Sequence, residues 1–103
     1  MSYYTTIITA LTSVTSSVSH GAHLKSDRYI VWMEDSGQDL TADGKHAEHA
    51  VTGTIDLYTK TEFDAYKGQI ETALDTNNIS WYWNSTQYEE DTGFWHYEWV
   101  WTV

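Results

Sequence analysis

Near the start of the chain, apolar residues recur at spacings of three and four: Tyr4, Ile7, Ile8, Leu11, Val14 and Val18. That stripe predicts an amphipathic first helix over residues 3–18. Its Thr and Ser content lowers intrinsic propensity, so packing must hold it. Ser19-His20-Gly21 is the expected stop, with Gly21 free to take a left-handed conformation. Arg28 to Glu34 encloses the run Tyr29-Ile30-Val31-Trp32-Met33, a strand whose continuous apolar character suggests cover on both faces. Asp35 to Lys45 is polar and carries Gly37 and Gly44, so it is expected to be a loop. Residues 47–59 form the next expected strand, with Gly53 marking a bulge or a close approach. Thr61 with Asp64 approximates a capping box that opens a second helix. Its stripe is Phe63, Tyr66, Ile70 and Leu74, and Asn77-Asn78 closes it. Ser80–Glu89 and Phe94–Val103 are two further strands joined by the turn Glu90-Asp91-Thr92-Gly93.

The last strand alternates sharply. Trp95, Tyr97, Trp99, Trp101 and Val103 share one face, while Phe94, His96, Glu98, Val100 and Thr102 share the other. Either helix, or a neighbouring subunit, is able to cover the aromatic face. The expected order is α-β-β-α-β-β, in one α+β domain spanning 1–103. The sheet is mostly antiparallel with helices on one face. The first helix occupies 1–18, and the sheet with the second helix occupies 28–103.

A chain of 103 residues argues for one domain of modest stability. Six Trp and eight Tyr against two Phe favour residues with an apolar body and a polar tip, suited to interfaces as well as cores. Without Cys there is no disulfide or thiolate chemistry. The start, Met1-Ser2-Tyr3-Tyr4, has no signal-peptide pattern, and no apolar run reaches the roughly 20 residues a bilayer span needs. Neither secretion nor a membrane partner is expected, so the sequons at Asn78 and Asn84 carry little weight. Fifteen acids against five bases give −10, a poor balance for gripping phosphates.

Candidate chemistry is thin. His46 and His49 flank Glu48, with Asp39 and Asp43 upstream. The order His-Ala-Glu-His is not a metalloprotease pattern, and spacing specifies no third ligand. Asp39 to Gly44 mimics the start of a calcium loop, but its twelfth position is Ala50 rather than Glu. His20 and His23 flank Gly21 in an expected turn, and His96 reads as a hydrogen-bonded interface residue. No nucleophile elbow, phosphate loop or dinucleotide fingerprint is present. No catalytic residue, cofactor or metal is therefore expected. Trp81, Trp83 and Trp95 leave room for an aromatic carbohydrate- or peptide-binding module. A metal-dependent hydrolase around His46 and His49 ranks last.

Several segments, taken in order, resemble a known family. They are Tyr29-Ile30-Val31-Trp32, the polar stretch Asp39 to Gly44, Gly53-Thr54-Ile55-Asp56-Leu57-Tyr58-Thr59-Lys60, Asn78-Ile79-Ser80-Trp81-Tyr82 and Tyr97-Glu98-Trp99-Val100-Trp101. This succession resembles the small tail terminator, tail-completion or minor tail-component proteins of long-tailed, non-contractile phages and of Gram-positive prophages. It departs from them in lacking Pro before the first strand, in a less charged second helix and in a Trp-rich last strand. The resemblance implies a virion protein made in the host bacterial cytoplasm. It implies a homo-oligomeric ring, commonly a hexamer, that caps the tail tube and joins the head connector. The major tail tube protein and a head-completion or connector protein would be its partners, and DNA would pass through without specific binding. A head-closure or connector component of the same neck is the alternative. An acidic lumen would suit that passage, with Asp35, Asp39, Asp43, Glu89, Glu90 and Asp91 as candidates. Trp81, Trp83, Trp95, Tyr97, Trp99 and Trp101 are the candidate interface, with the last strand as a pairing edge.

Overall fold

A computed structural model of the chain describes residues 2–35 and 50–103. The elements are α1 (Tyr3–Thr12), β1 (Val18–His20), β2 (Arg28–Glu34), β3 (Thr52–Thr59), α2 (Tyr66–Thr76), β4 (Ser80–Glu89) and β5 (Phe94–Thr102). The strands make one five-stranded sheet in the order β1-β2-β3-β5-β4. Only β1 and β2 are parallel; the other neighbours are antiparallel. The α+β class and mostly antiparallel sheet agree with the sequence, but a third strand precedes α2, giving α-β-β-β-α-β-β.

That extra strand comes from the tail of the expected first helix. The helix stops at Thr12, where hydroxyls begin to compete for backbone groups. Thr12 Oγ1 donates to the Ile8 carbonyl at 2.6 Å, and Ser13 Oγ to the Ala10 carbonyl at 2.6 Å. Val18 then starts an extended segment that pairs in register with Ile30. The buried face of α1 is Ile7, Ala10 and Leu11, while Tyr4 and Ile8 are exposed. Val14 and Val18 still pack against the core from outside the helix. Gly21 does adopt a left-handed φ of 80°, but after a strand and not after a helix.

α2 begins later than expected. Phe63 takes a φ of 56°, which breaks any helix starting at Thr61, and its ring is 87% exposed. The capping box does not form: Thr61 N donates to Thr59 Oγ1, and Asp64 Oδ1 accepts from Tyr66 N at 2.8 Å. The helix ends as expected. Asn78 is left-handed at φ 57°, Ile79 N donates to the Leu74 carbonyl and Asn78 N to the Asp75 carbonyl. This is a Schellman closure, with Ile79 and Leu74 both buried beside each other in the core.

Both helices lie on one face of the sheet. Beneath them, Ile30, Trp32, Ile55, Leu57, Tyr97, Trp99 and Trp101 join Ile7, Leu11, Ile70 and Leu74 in the core. Register explains the selection. Trp101 faces Gly53, Trp99 faces Ile55 and Tyr97 faces Leu57, so period-two alternation on β5 meshes with the same alternation on β3. A Cβ at Gly53 would overlap the Met33 carbonyl and the Trp101 ring, which identifies a close approach. The buried indoles are satisfied: Trp99 Nε1 donates to Glu71 Oε2 at 3.0 Å, and Trp101 Nε1 to the Thr54 carbonyl at 2.9 Å.

Candidate functional site

The two outer strands differ in kind. β1 has three residues, whereas β4 has ten and carries Tyr82, Trp83 and Tyr88, each at least half exposed. The outer side of β4 pairs with no other strand among the described residues. A long edge with unpaired backbone groups and exposed rings is a template for association unless something covers it. The ladder is irregular between Trp83 and Ser85. Trp83 Nε1 donates there to the Ser85 carbonyl and to Thr86 Oγ1, both at 3.1 Å, which holds the ring in place. Beside it, Phe63, Trp83, Trp95, Tyr97 and Lys67 line a groove of about 500 Å³ between β4 and the start of α2.

The six candidate interface rings therefore separate. Tyr97, Trp99 and Trp101 are buried under the chain's own helices, which leaves Trp99 and Trp101 no accessible face for a partner and Tyr97 only what it contributes to the groove. β5 lies between β3 and β4, so it is an interior strand and not a pairing edge. Trp81 and Trp95 are partly buried against the core, and Trp81 Nε1 donates to Asp75 Oδ1 at 2.8 Å. Trp83 alone of the six is half exposed.

The groove stands on a fixed corner. Asp64, whose side chain is fully buried, accepts from Arg28 Nε at 2.8 Å, Thr59 Oγ1 at 2.7 Å and Tyr66 N at 2.8 Å. Arg28 Nη2 completes a fork on the same carboxylate, and the guanidinium stacks 3.3 Å over the Tyr66 ring. Burial works against the Asp64 charge, but these donors outweigh it and hold its pKa below the ordinary value. β2, β3 and α2 are pinned together at this point.

On the sheet face away from the helices, Tyr29, Tyr58, Phe94 and His96 form an aromatic cluster. His23 joins it from the connection between β1 and β2. The His96 ring stacks on Tyr58 at 4.4 Å, and its Nε2 lies 2.6 Å from Asp56 Oδ1. Burial opposes charge on His96, yet Asp56, Glu89 and Glu98 outweigh it and raise its pKa. Burial, aided by Asp56, pushes the Tyr58 hydroxyl up to about 12. Asp56, His96 and Glu98 are able to converge on one metal ion. The trio is not legible in the sequence alone. Asp56 is distant in the chain, and only the β3–β5 register brings it to His96.

Other candidates disperse. His20 Nε2 contacts Glu34 Oε1 at 2.5 Å and its ring stacks on Trp32, while His23 Nδ1 is 3.0 Å from the Tyr29 hydroxyl. The two imidazoles thus serve opposite faces of the sheet and do not share a ligand. Asp35 sits at the β2 end that faces Thr52, whereas Glu89, Glu90 and Asp91 sit at the opposite end of the sheet, in the β4–β5 turn. All are at least partly exposed, and they do not converge. Asp39, Asp43, His46, Glu48 and His49 lie outside the described residues. A cleft of about 700 Å³ between α1 and α2 is lined by Thr, Ser, Ala, Gly, Val, Gln and Asn side chains, with no ionisable group for acid–base work. No helix among the described residues is long and apolar enough to cross a membrane.

The chain matches no protein-family model, and no curated protein aligns with it significantly.

Proposed function

We propose that this protein is a structural subunit that works by assembly, as one member of a ring at the tail–head junction of a long-tailed phage. The observation that carries this is the β4 edge: ten residues with no outer partner among the described residues, bearing three exposed aromatic rings, of which Trp83 lines an aromatic groove. Such an edge is a template for pairing with another chain. The opposite edge, β1, is short and chemically different, so self-association through β4 and β1 would be head to tail. Head-to-tail contacts close into rings when the rotation permits. The order of sequence segments that resembles tail terminator and tail-completion proteins supports the same reading. A charge of −10 suits a channel wall that must not retain DNA.

The partners in this reading are further copies of the chain, the tail tube protein and the head connector protein. Light scattering over a concentration series, with and without tube protein, tests it. Rings or tube-end complexes are the expected result, and a strict monomer under every condition sinks the idea. Electron microscopy of particles made without this protein separates two positions in the neck. Tubes of uncontrolled length indicate a terminator. Tails of normal length that fail to join heads indicate the head-closure alternative.

The groove of Phe63, Trp83 and Trp95 favours a second reading, an aromatic carbohydrate- or peptide-binding module. Saturable quenching of Trp fluorescence by a glycan or peptide, abolished by Trp83→Ala in a protein that stays monomeric, would favour that module over the ring.

A further inference from the structure

Assembly through β4 leaves the donor set on the open face without a task. Asp56 of β3 and Glu98 of β5 are direct cross-strand partners, and His96 precedes Glu98 by two residues on the same face. Like charges placed opposite one another in a ladder repel. Asp56 and His96 are also poorly hydrated, since the Asp56 side chain is only 14% exposed and that of His96 18%. One donor atom from each of Asp56, His96 and Glu98 lies within 4.8 Å of the other two. We propose that these three residues bind a divalent transition-metal ion, with zinc the best match and the remaining coordination positions taken by water.

Three features point to a metal and not merely to a salt bridge. The donor set mixes one imidazole nitrogen with two carboxylate oxygens, a combination that suits zinc, whereas magnesium favours oxygen alone. The imidazole is also placed for ligation: Nε2 points into the trio, 2.6 Å from Asp56 Oδ1, while Nδ1 lies 3.8 Å from Glu89 Oε2, at ion-pair distance and beyond hydrogen-bond reach. Finally, the ligands are held from outside the trio. Tyr58 stacks on the His96 ring, and Asn84 Nδ2 donates to Glu98 Oε1 at 2.7 Å. Two paired strands supply all three ligands, so little ordering is left for the ion to impose. The ion replaces the proton held between His96 and Asp56, relieves the carboxylate repulsion and ties β3 to β5. Because the site faces away from the helices and the groove, it stands whether or not the ring reading holds.

The experiment titrates zinc chloride into the chelator-treated full chain by calorimetry, with melting temperature as a parallel readout. One equivalent should bind, with a rise in melting temperature of several degrees. His96→Gln and Glu98→Gln should each abolish stoichiometric binding. Magnesium should bind far more weakly than zinc. The pair His46→Ala/His49→Ala should leave binding intact. Absence of saturable binding overturns the proposal, as does binding that the double variant removes and His96→Gln leaves unchanged. Should the Gln variants unfold, the wild-type histidine nitrogen resonances decide: zinc must shift those of His96, and shifts confined to other histidines overturn the site.

Discussion

β4 and β5 are adjacent antiparallel strands, both rich in Trp, and they do opposite jobs. On β5, Trp99 and Trp101 are fully buried and their indole N–H groups are bonded inside the chain. On β4, Trp83 and Tyr88 are half exposed, and the Trp83 indole N–H donates within its own strand. Composition does not separate them, since each strand mixes large rings with polar residues. Place in the sheet does. β5 has β3 on one side and β4 on the other, with the helices above, whereas β4 has a neighbour on one side only among the described residues. The same residue type thus stabilises the fold on one strand and offers contact area on the next.

The sharpest way to break this comparison is to truncate the buried ring. Trp99→Ala should cost about 3–5 kcal/mol, enough to leave a domain of this size largely unfolded; urea denaturation measures it, and a loss below about 1 kcal/mol would contradict the buried assignment. Next comes the corner that holds the groove. Asp64→Ala removes the partner of Arg28 and one donor-acceptor link each to Thr59 and Tyr66. A broken buried pair costs about 3–5 kcal/mol, and the 42% exposure of the Arg28 side chain lets water recover part, leaving about 2–3 kcal/mol.

Acid gives a smaller and graded effect. The hydroxyl of Tyr3 and the ring of His20 hold the Glu34 carboxyl at about 2, against an ordinary value of 4.5. A carboxyl depressed on folding stabilises the native state above its unfolded pKa. That contribution is lost as pH falls from about 4.5 towards about 2. Melting temperature should fall through this window in the wild type and fall less in Glu34→Gln; parallel curves for the two would remove Glu34 from the account. The smallest stability change is expected at the edge. Trp83→Ala should shift stability by less than about 1 kcal/mol while reducing assembly. Equal damage to folding and assembly, read by denaturation and light scattering on one sample, would erase the contrast between the two strands.

Much of the fold was legible because its signals are local. The alternation on β5, the Asn77-Asn78 helix stop and the β4–β5 turn each depend on a few neighbouring residues. Failures cluster where a distant partner decides. Val18 continues a helical spacing, yet it pairs with Ile30, because β2 needs a neighbour on its outer side. Asp64 looked like the far end of a capping box, but Arg28 from another strand claims it, and Phe63 turns outward just before it. The aromatic face of β5 was correctly predicted to need cover, while its cover proved to be the chain's own helices. His96 was legible as a polar residue on the less aromatic side of its strand. Its partner Asp56, forty residues earlier, was not.

By itself the sequence determined the α+β class, a single domain, most strand and helix positions, the acidity and the absence of thiol chemistry. Those follow from residue counts and from periods of 2 and 3.6, which act over a few residues. Tertiary structure alone decided the strand order, and with it which Trp-rich strand is interior and which is the edge. It also decided that Asp56, His96 and Glu98 meet while His20 and His23 do not. The physical reason is that pairing and register are chosen by the whole hydrophobic surface at once, so two adjacent Trp-rich segments acquire different neighbours.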